Sequence, residues 1–221
     1  MEVIKTVNLS KEYETNAGNL RVIDNINLVI EQGEFVAITG ESGAGKSTLM
    51  HLIGGLDQPT SGEVFVDGIS LYGEMKEQEF IEFRRKKIGF IFQAFNLVPF
   101  LNVWENIILP IGISGDRAKV NEIEELMERL HIYEKRFSYP EQLSGGQQQR
   151  VAIARALATK PSIIIADEPT GNLDSKTSEN VMDLLIDSCK TYNRTLVVVT
   201  HSEHIANMAE RIVRVVDGSI M

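Results

Sequence analysis

At 221 residues the chain is long enough for one well-buried domain and short for two independent ones. A hydrophobic share of 43% and a charged share of 24% exclude a disordered or fibrous protein, and a net charge of −9 argues against a surface built to neutralise nucleic-acid phosphate. Cys189, the single cysteine, excludes an internal disulfide and fits a reducing compartment.

The N-terminus, MEVIKTVNLS, lacks the layout of a signal peptide, and no run approaches the roughly eighteen apolar residues of a membrane span, so a cytoplasmic location is expected. Within the first seventy residues the alternating stretches LRVIDNINLVI and GEVFVDGISL, broken by Gly and Asn, predict an antiparallel β layer. Between them EFVAITG (34 to 40) is continuously apolar, as a strand buried on both faces requires.

That strand runs into GESGAGKST (40 to 48), which matches G-x-x-x-x-G-K-[ST] and precedes the helix-like STLMHLIGGL. Glycines at 40, 43 and 45 let backbone N–H groups turn around phosphate oxygens, together with the amides of Ser42, Ala44 and Thr48. Lys46 is placed to reach β and γ phosphates, and the Ser47 hydroxyl to ligate Mg²⁺. Arg84, Arg85, Lys86 and Lys87 form the one tight basic run, readable as a solvated helix face or as a contact surface.

From about 93 to 155 strand-like patterns are absent. VNEIEELMERLHI (120 to 132) has helical spacing, and a second helix is expected to begin at LSGGQQQR (143 to 150). The stretch reads as a helical insertion, with 1–92 and 156–221 forming an α/β core of one domain spanning 1–221. Ser144 and Gln147 make an S-x-x-Q capping box. A cap does not explain Gly145 and Gly146, each costing about 1 kcal/mol against alanine in a helix, so close approach of an anion to bare amides is expected there.

SIIIADEP (162 to 169) and RTLVVVTH (194 to 201) are two further buried strands, separated by the amphipathic TSENVMDLLIDSCKTY, with Val181, Leu184, Leu185 and Cys189 on one face. Asp167 and Glu168 end the first of these strands, where ligands bind in parallel α/β sheets. Because strand side chains alternate, the two carboxylates are assigned different work: Asp167 near Mg²⁺, and Glu168 orienting or deprotonating an attacking water. His201 ends the next strand and suits a hydrogen bond to a γ-phosphate better than a metal, since HSEH supplies only two imidazoles.

Taken together, these residues resemble the ATPase subunit of an ABC transporter along essentially the whole chain. Walker A resembles GESGAGKST, the Q-loop FIFQAF with Gln93, the signature LSGGQQQR, Walker B IIIADE, the D-loop GNLD (171 to 174) with Asp174, and the switch histidine His201. FQAFNLVPFLNVWENIILP and EPTGNLD are similar to the group that includes LolD, MacB and FtsE. The resemblance implies a P-loop NTPase (RecA-like) core that uses ATP and Mg²⁺. It also implies that Gln93 senses Mg²⁺ or γ-phosphate, and that Ser144, Gly145, Gly146 and Gln147 serve the ATP of a second subunit in a homodimer. Asp174 would carry communication between the two chains.

Tyr13 in LSKEY occupies the place of an adenine-stacking aromatic, or is a packing tyrosine. The resemblance further implies that Phe95, Phe100 and Trp104 line a groove for a cytoplasmic helix of an integral membrane permease of the MacB, LolC or FtsX type; the other reading is that they are core aromatics of the insertion. Glu41 and Ala44 depart from the residues common in the family's loop, and Glu41 is expected to point outward. Two alternatives stay open: a soluble ABC ATPase acting on nucleic acid or ribosomes, and a nucleotide-gated module with little turnover. The acidic balance and the absence of sustained heptads weigh against the first.

Overall fold

A computed structural model describes residues 1–15 and 18–221. In chain order, β1 (Glu2–Thr15) and β2 (Gly18–Glu31) form a long antiparallel pair, followed by β3 (Phe35–Thr39), α1 (Lys46–Ile53), β4 (Ser61–Val66) and β5 (Ile69–Ser70). Next come α2 (Glu77–Lys87), β6 (Ile88–Phe92), α3 (Val103–Ile113), α4 (Val120–Arg129), α5 (Gly145–Ala158), β7 (Ile163–Asp167) and α6 (Ser175–Thr191). The chain ends with β8 (Thr195–Val199), α7 (Glu203–Ala206), β9 (Arg211–Val216) and β10 (Ser219–Ile220).

Two compact units result: residues Met1–Arg84 with Thr195–Met221, and residues Arg85–Arg194. In the first unit β1 lies between β2 and β4, all antiparallel, with β5 beyond β4, which is the layer expected from the alternating stretches. A second layer in the same unit pairs β3 in parallel with β8 on one side and β9 on the other. Val36, Ala37 and Ile38 face Val197, Val198 and Val199 across the first of these ladders, all buried, so the continuous apolar runs are strands covered on both faces.

In the second unit β6 and β7 pair in parallel, from Ile88 with Ile163 to Phe92 with Asp167. Helices α3, α4, α5 and α6 accompany them, and α5 packs on both α3 and α6. Strands β6 and β9 and helix α3 had no separate sequence expectation: β6 and β9 carry charges or Gly at their borders, and α3 contains Pro110. Helix α3 nevertheless starts firmly, because Asn102 and Glu105 form a capping box. On α6 the buried stripe is Val181, Met182, Leu185, Ser188 and Cys189, with Leu184 half-buried at its margin. The basic run closes α2, where cations meet the negative end of the helix, and Arg85 donates to the Ile113 carbonyl at 3.2 Å. Among the described residues no helix is long and apolar enough to cross a membrane.

Candidate nucleotide site

The loop between β3 and α1 is built around an uncapped helix start. Gly45 is the N-cap residue of α1, in a left-handed conformation at φ 102°, and among the described residues no side chain caps the first amides of the helix. A side chain at Gly45 would also meet the Val22 carbonyl at 2.7 Å, so glycine is required there twice over. Those amides are orphan donors, and the helix places its positive end on the same spot.

Lys46 is only 6% exposed, and its Nζ donates to the Gly40 carbonyl at 2.9 Å and the Glu41 carbonyl at 2.7 Å. A buried ammonium held by two carbonyls is under-compensated, and a phosphate fits the need. Ala44 is buried, whereas Ser42, Gly43 and Ser47 are exposed and Thr48 is half-buried. Glu41 is exposed, as expected. Gly40 lies against β9, where an added side chain would meet the Val215 carbonyl.

Tyr13, near the end of β1, sits beside this loop. Its hydroxyl donates to Asp57 Oδ2 at 2.7 Å and meets the Thr48 side chain in the first turn of α1. Burial first, and the Asp57 carboxylate second, push the Tyr13 phenol up from its ordinary value. His201, just beyond β8, is exposed and is followed by Ser202, the N-cap of α7.

In the second unit the Walker B pair ends β7. Asp167 is the last residue of the strand, paired with Phe92. Glu168 has φ 45°, a left-handed conformation that costs a non-glycine residue about 1 to 3 kcal/mol. The Gly171 amide donates to its carbonyl at 3.0 Å, turning the chain sharply away from the strand. The two neighbouring carboxylates are therefore separated by a backbone reversal as well as by strand alternation, and no sequence pattern announced it.

Gln93, immediately after β6, exchanges hydrogen bonds with Asn172: its Nε2 donates to Asn172 Oδ1 at 3.2 Å, and Asn172 Nδ2 donates to the Gln93 carbonyl at 3.0 Å. Gly171 leaves the room for this contact, since a side chain there would meet Gln93 Nε2 at 2.8 Å. The next residues are held by Arg155 of α5, which donates to the carbonyls of Asn96 at 2.6 Å and Phe95 at 3.0 Å. Burial lowers the Arg155 pKa, yet both carbonyls compensate its charge. Asn106, fully buried on α3, shapes the following loop by donating to the carbonyls of Val98, Leu101 and Asn102 and accepting from the Val98 amide. Phe100 stands 77% exposed at the end of that loop, while Phe95 and Trp104 are half-buried. Asn172, Arg155 and Asn106 were missed at the sequence level because a lone polar residue has no periodicity to betray its partner.

The signature stretch opens α5 as the capping box anticipated. Ser144 N donates to Gln147 Oε1 at 2.9 Å, and Gln147 N to Ser144 Oγ at 3.3 Å. Ser144 is exposed and Gly145 half-buried, but Gly146 is buried, and a side chain there would meet Thr177 Cγ2 at 2.5 Å. At Gly146 the packing of α5 on the start of α6 is a reason for glycine beside the expected approach of an anion. Asp174 is the N-cap of α6, accepting from the Thr177 amide at 3.1 Å, and hydrogen bonds from the Thr177 hydroxyl and amide hold its carboxyl below the ordinary range.

Comparison with known proteins shows the family of the chain. Residues 23–171 match the family model described as ABC transporter. The chain is 46% identical over 226 residues to the ABC transporter ATP-binding protein MJ0796 of Methanocaldococcus jannaschii, an alignment covering 99% of this chain and 95% of that one. It is 44% identical to the lipoprotein-releasing system ATP-binding protein LolD 1 of Chlorobium chlorochromatii, covering 99% and 90%. With the macrolide export ATP-binding/permease protein MacB of Bdellovibrio bacteriovorus it shares 43% identity over 96% of this chain and 32% of that larger one. The fold superposes with a TM-score of 0.87 on the dimeric post-hydrolysis structure of the MJ0796 cassette bound to ADP and Pi, at 44% identity over 98% of this chain and 96% of that one. The chain therefore belongs to the ABC transporter family, as one of its ATP-binding subunits.

Proposed function

We propose that residues 1–221 act as one ATPase domain that pairs with a second copy, the two chains enclosing two ATP molecules and driving a membrane permease by closing and reopening. One observation carries this reading: the α1 start combines bare amides with a buried Lys46 whose hydrogen bonds among the described residues go to two carbonyls. A triphosphate supplies the anion that such a cradle lacks.

In this reading the loop from Gly40 to Thr48 wraps the phosphates, Lys46 contacts the β and γ groups, and Tyr13 stacks on adenine. Glu168 orients the attacking water and takes its proton, and His201 hydrogen-bonds the γ-phosphate. Ser47, Gln93 and Asp167 would hold Mg²⁺, which supplies positive charge against the phosphate oxygens. The chemistry of this donor set suits Mg²⁺, because a hydroxyl, an amide and a carboxylate all offer the oxygens that a hard cation takes, and the Ser47 hydroxyl on α1 is exposed.

Ser144, Gly145, Gly146 and Gln147 serve the ATP of the opposite chain, and Asp174 reports between the two. The exposed Ser144 cap and the dimeric MJ0796 cassette support this arrangement. Binding then favours the closed dimer, and loss of the γ-phosphate favours the open one. A permease of the MacB, LolC or FtsX type would receive the movement through the Phe100 loop and hold the chain on the inner face of the membrane. The exposure of Phe100 and the similarity to LolD and MacB support that partner.

Mixing tests the composite site. A Lys46→Ala chain and a Ser144→Arg chain should each lack ATPase activity and recover about a quarter of the native rate when combined, as expected if half the dimers are mixed and each of those holds one intact site. Absence of recovery overturns the shared site.

A further inference from the structure

Tyr13 is set in a frame that the nucleotide-binding motifs do not include. Its hydroxyl donates to Asp57 Oδ2 at 2.7 Å, and the other carboxylate oxygen of Asp57 accepts from Lys11 Nζ at 2.8 Å. The same ammonium lies 4.7 Å from the centroid of the Tyr13 ring, over its face, and donates to the Gln58 carbonyl at 2.6 Å. Ring, carboxylate and ammonium close a triangle in which each member touches the other two.

The segment carrying Asp57 is itself anchored. The Tyr72 hydroxyl lies on the carbonyls of Leu52 and Asp57, and the Asp57 carboxylate accepts from the Gln58 amide at 2.7 Å. Thr60 ties the segment back to β1, its amide donating to the Ser10 carbonyl and its hydroxyl accepting from the Glu12 amide, both at 2.9 Å. The Asp57 side of the frame is therefore tied both to the Tyr72 hydroxyl and to β1. Burial alone would raise the Asp57 pKa, but hydrogen bonds from Lys11, Tyr13 and Gln58 outweigh it and hold the carboxyl below its usual value, so it stays ionised at neutral pH.

We infer that Asp57 and Lys11 are positioning residues that lock the Tyr13 ring for a purine base, Asp57 by holding the hydroxyl and Lys11 by closing one face. Stacking a base on an unrestrained tyrosine would immobilise its side chain, a cost that a ring already held does not incur. With Lys11 over one face, a base has only the other to use, which fixes its side of approach. An ammonium against the ring also opposes rotation about the side-chain torsions, through the same electrostatic attraction that orients cation–π pairs. This inference rests on the reading of Tyr13 as the base-stacking residue, and it adds residues from β1 and from the segment after α1 to that role.

The test compares equilibrium binding of ATP with that of inorganic tripolyphosphate, which occupies the phosphate loop without a base. The chains compared are the native protein, Tyr13→Ala, Tyr13→Phe, Asp57→Asn and the double variant Asp57→Asn/Tyr13→Ala. Tyr13→Ala and Asp57→Asn should each weaken ATP binding, the latter by about three- to tenfold, as for one lost hydrogen bond, with tripolyphosphate unchanged. Asp57→Asn should add less than about twofold once Tyr13 is alanine, since coupling vanishes when the shared partner is gone. In steady state the KM for ATP should rise while kcat at saturation holds.

If Tyr13→Ala leaves ATP affinity unchanged, base stacking and positioning both fall. If Tyr13→Ala weakens ATP but Asp57→Asn does not, or if Asp57→Asn weakens ATP equally in the alanine background or weakens tripolyphosphate as well, positioning alone falls. Should Asp57→Asn fail to fold, Lys11→Met and Tyr13→Phe probe the same frame from its other corners, and native affinity in both overturns the proposal.

Discussion

Gln93 and Asn172 hold each other by two hydrogen bonds, one between their side-chain amides at 3.2 Å and one from Asn172 Nδ2 to the Gln93 carbonyl at 3.0 Å. They are 79 residues apart in the chain, one after β6 and the other in the turn between β7 and α6. A change at either position is thereby felt at the other. Because Gly171 and Glu168 belong to the same turn, the proposed sensor Gln93 touches the piece of backbone that carries the proposed catalytic carboxylate.

Asn172→Ala should therefore free Gln93 and lower kcat by about three- to tenfold with little change in ATP affinity, as for the loss of one or two hydrogen bonds. Gly171→Ala should be worse, since its new carbon would sit 2.8 Å from Gln93 Nε2 and drive that side chain out. Steady-state kinetics on both variants provide the check; native kcat in Gly171→Ala would show that Gln93 can leave without consequence.

Replacing Glu168 by Gln keeps the length of the side chain but removes the base. Turnover should fall by roughly 10²-fold or more while ATP still binds, and the chain should accumulate as an ATP-bound dimer. Size-exclusion chromatography with ATP and Mg²⁺ reads this directly, and a monomer under those conditions counts against a dimer that encloses ATP.

Gly146→Ala separates packing from ligand contact. Helix propensity alone would stabilise α5 by about 1 kcal/mol, but the 2.5 Å approach of Thr177 Cγ2 predicts a net loss of about 1 to 3 kcal/mol in the nucleotide-free chain. Thr177→Ser, which deletes that methyl, should recover most of the loss. Denaturant unfolding of the single and double variants decides the sign, and a more stable Gly146→Ala chain would return the glycine to an anion-binding role.

Cys189 is 3% exposed, and burial, opposed in part by the charge of Arg194, pushes its thiol up to about 12. The native protein should react slowly with a thiol reagent at pH 8 and the unfolded protein fast and completely. The folded state keeps this proton while the unfolded thiol, with an ordinary value of 9.0, releases it. Its stabilising contribution is thus whole below about pH 9 and declines as the pH rises toward 12. Rapid native labelling would place Cys189 at the surface of a readily opened region.

Much of the fold was legible in the sequence because its signals are local. Continuous apolar runs became β3, β7 and β8; alternation became the β1, β2 and β4 layer; and Ser144 with Gln147 became a cap, since three residues of helix bring them together. The loop between β3 and α1 was legible for the same reason, as its glycines and Lys46 lie within nine residues of one another. What the order of residues could not disclose are relationships set by packing between distant segments. Thr177 stands over Gly146, Asn172 meets Gln93, and Asp57 and Lys11 converge on Tyr13. Local patterns depend on backbone periodicity, which sequence carries; a hydrogen bond or a 2.5 Å approach depends on where two chains of atoms come to rest, which only the tertiary structure decides.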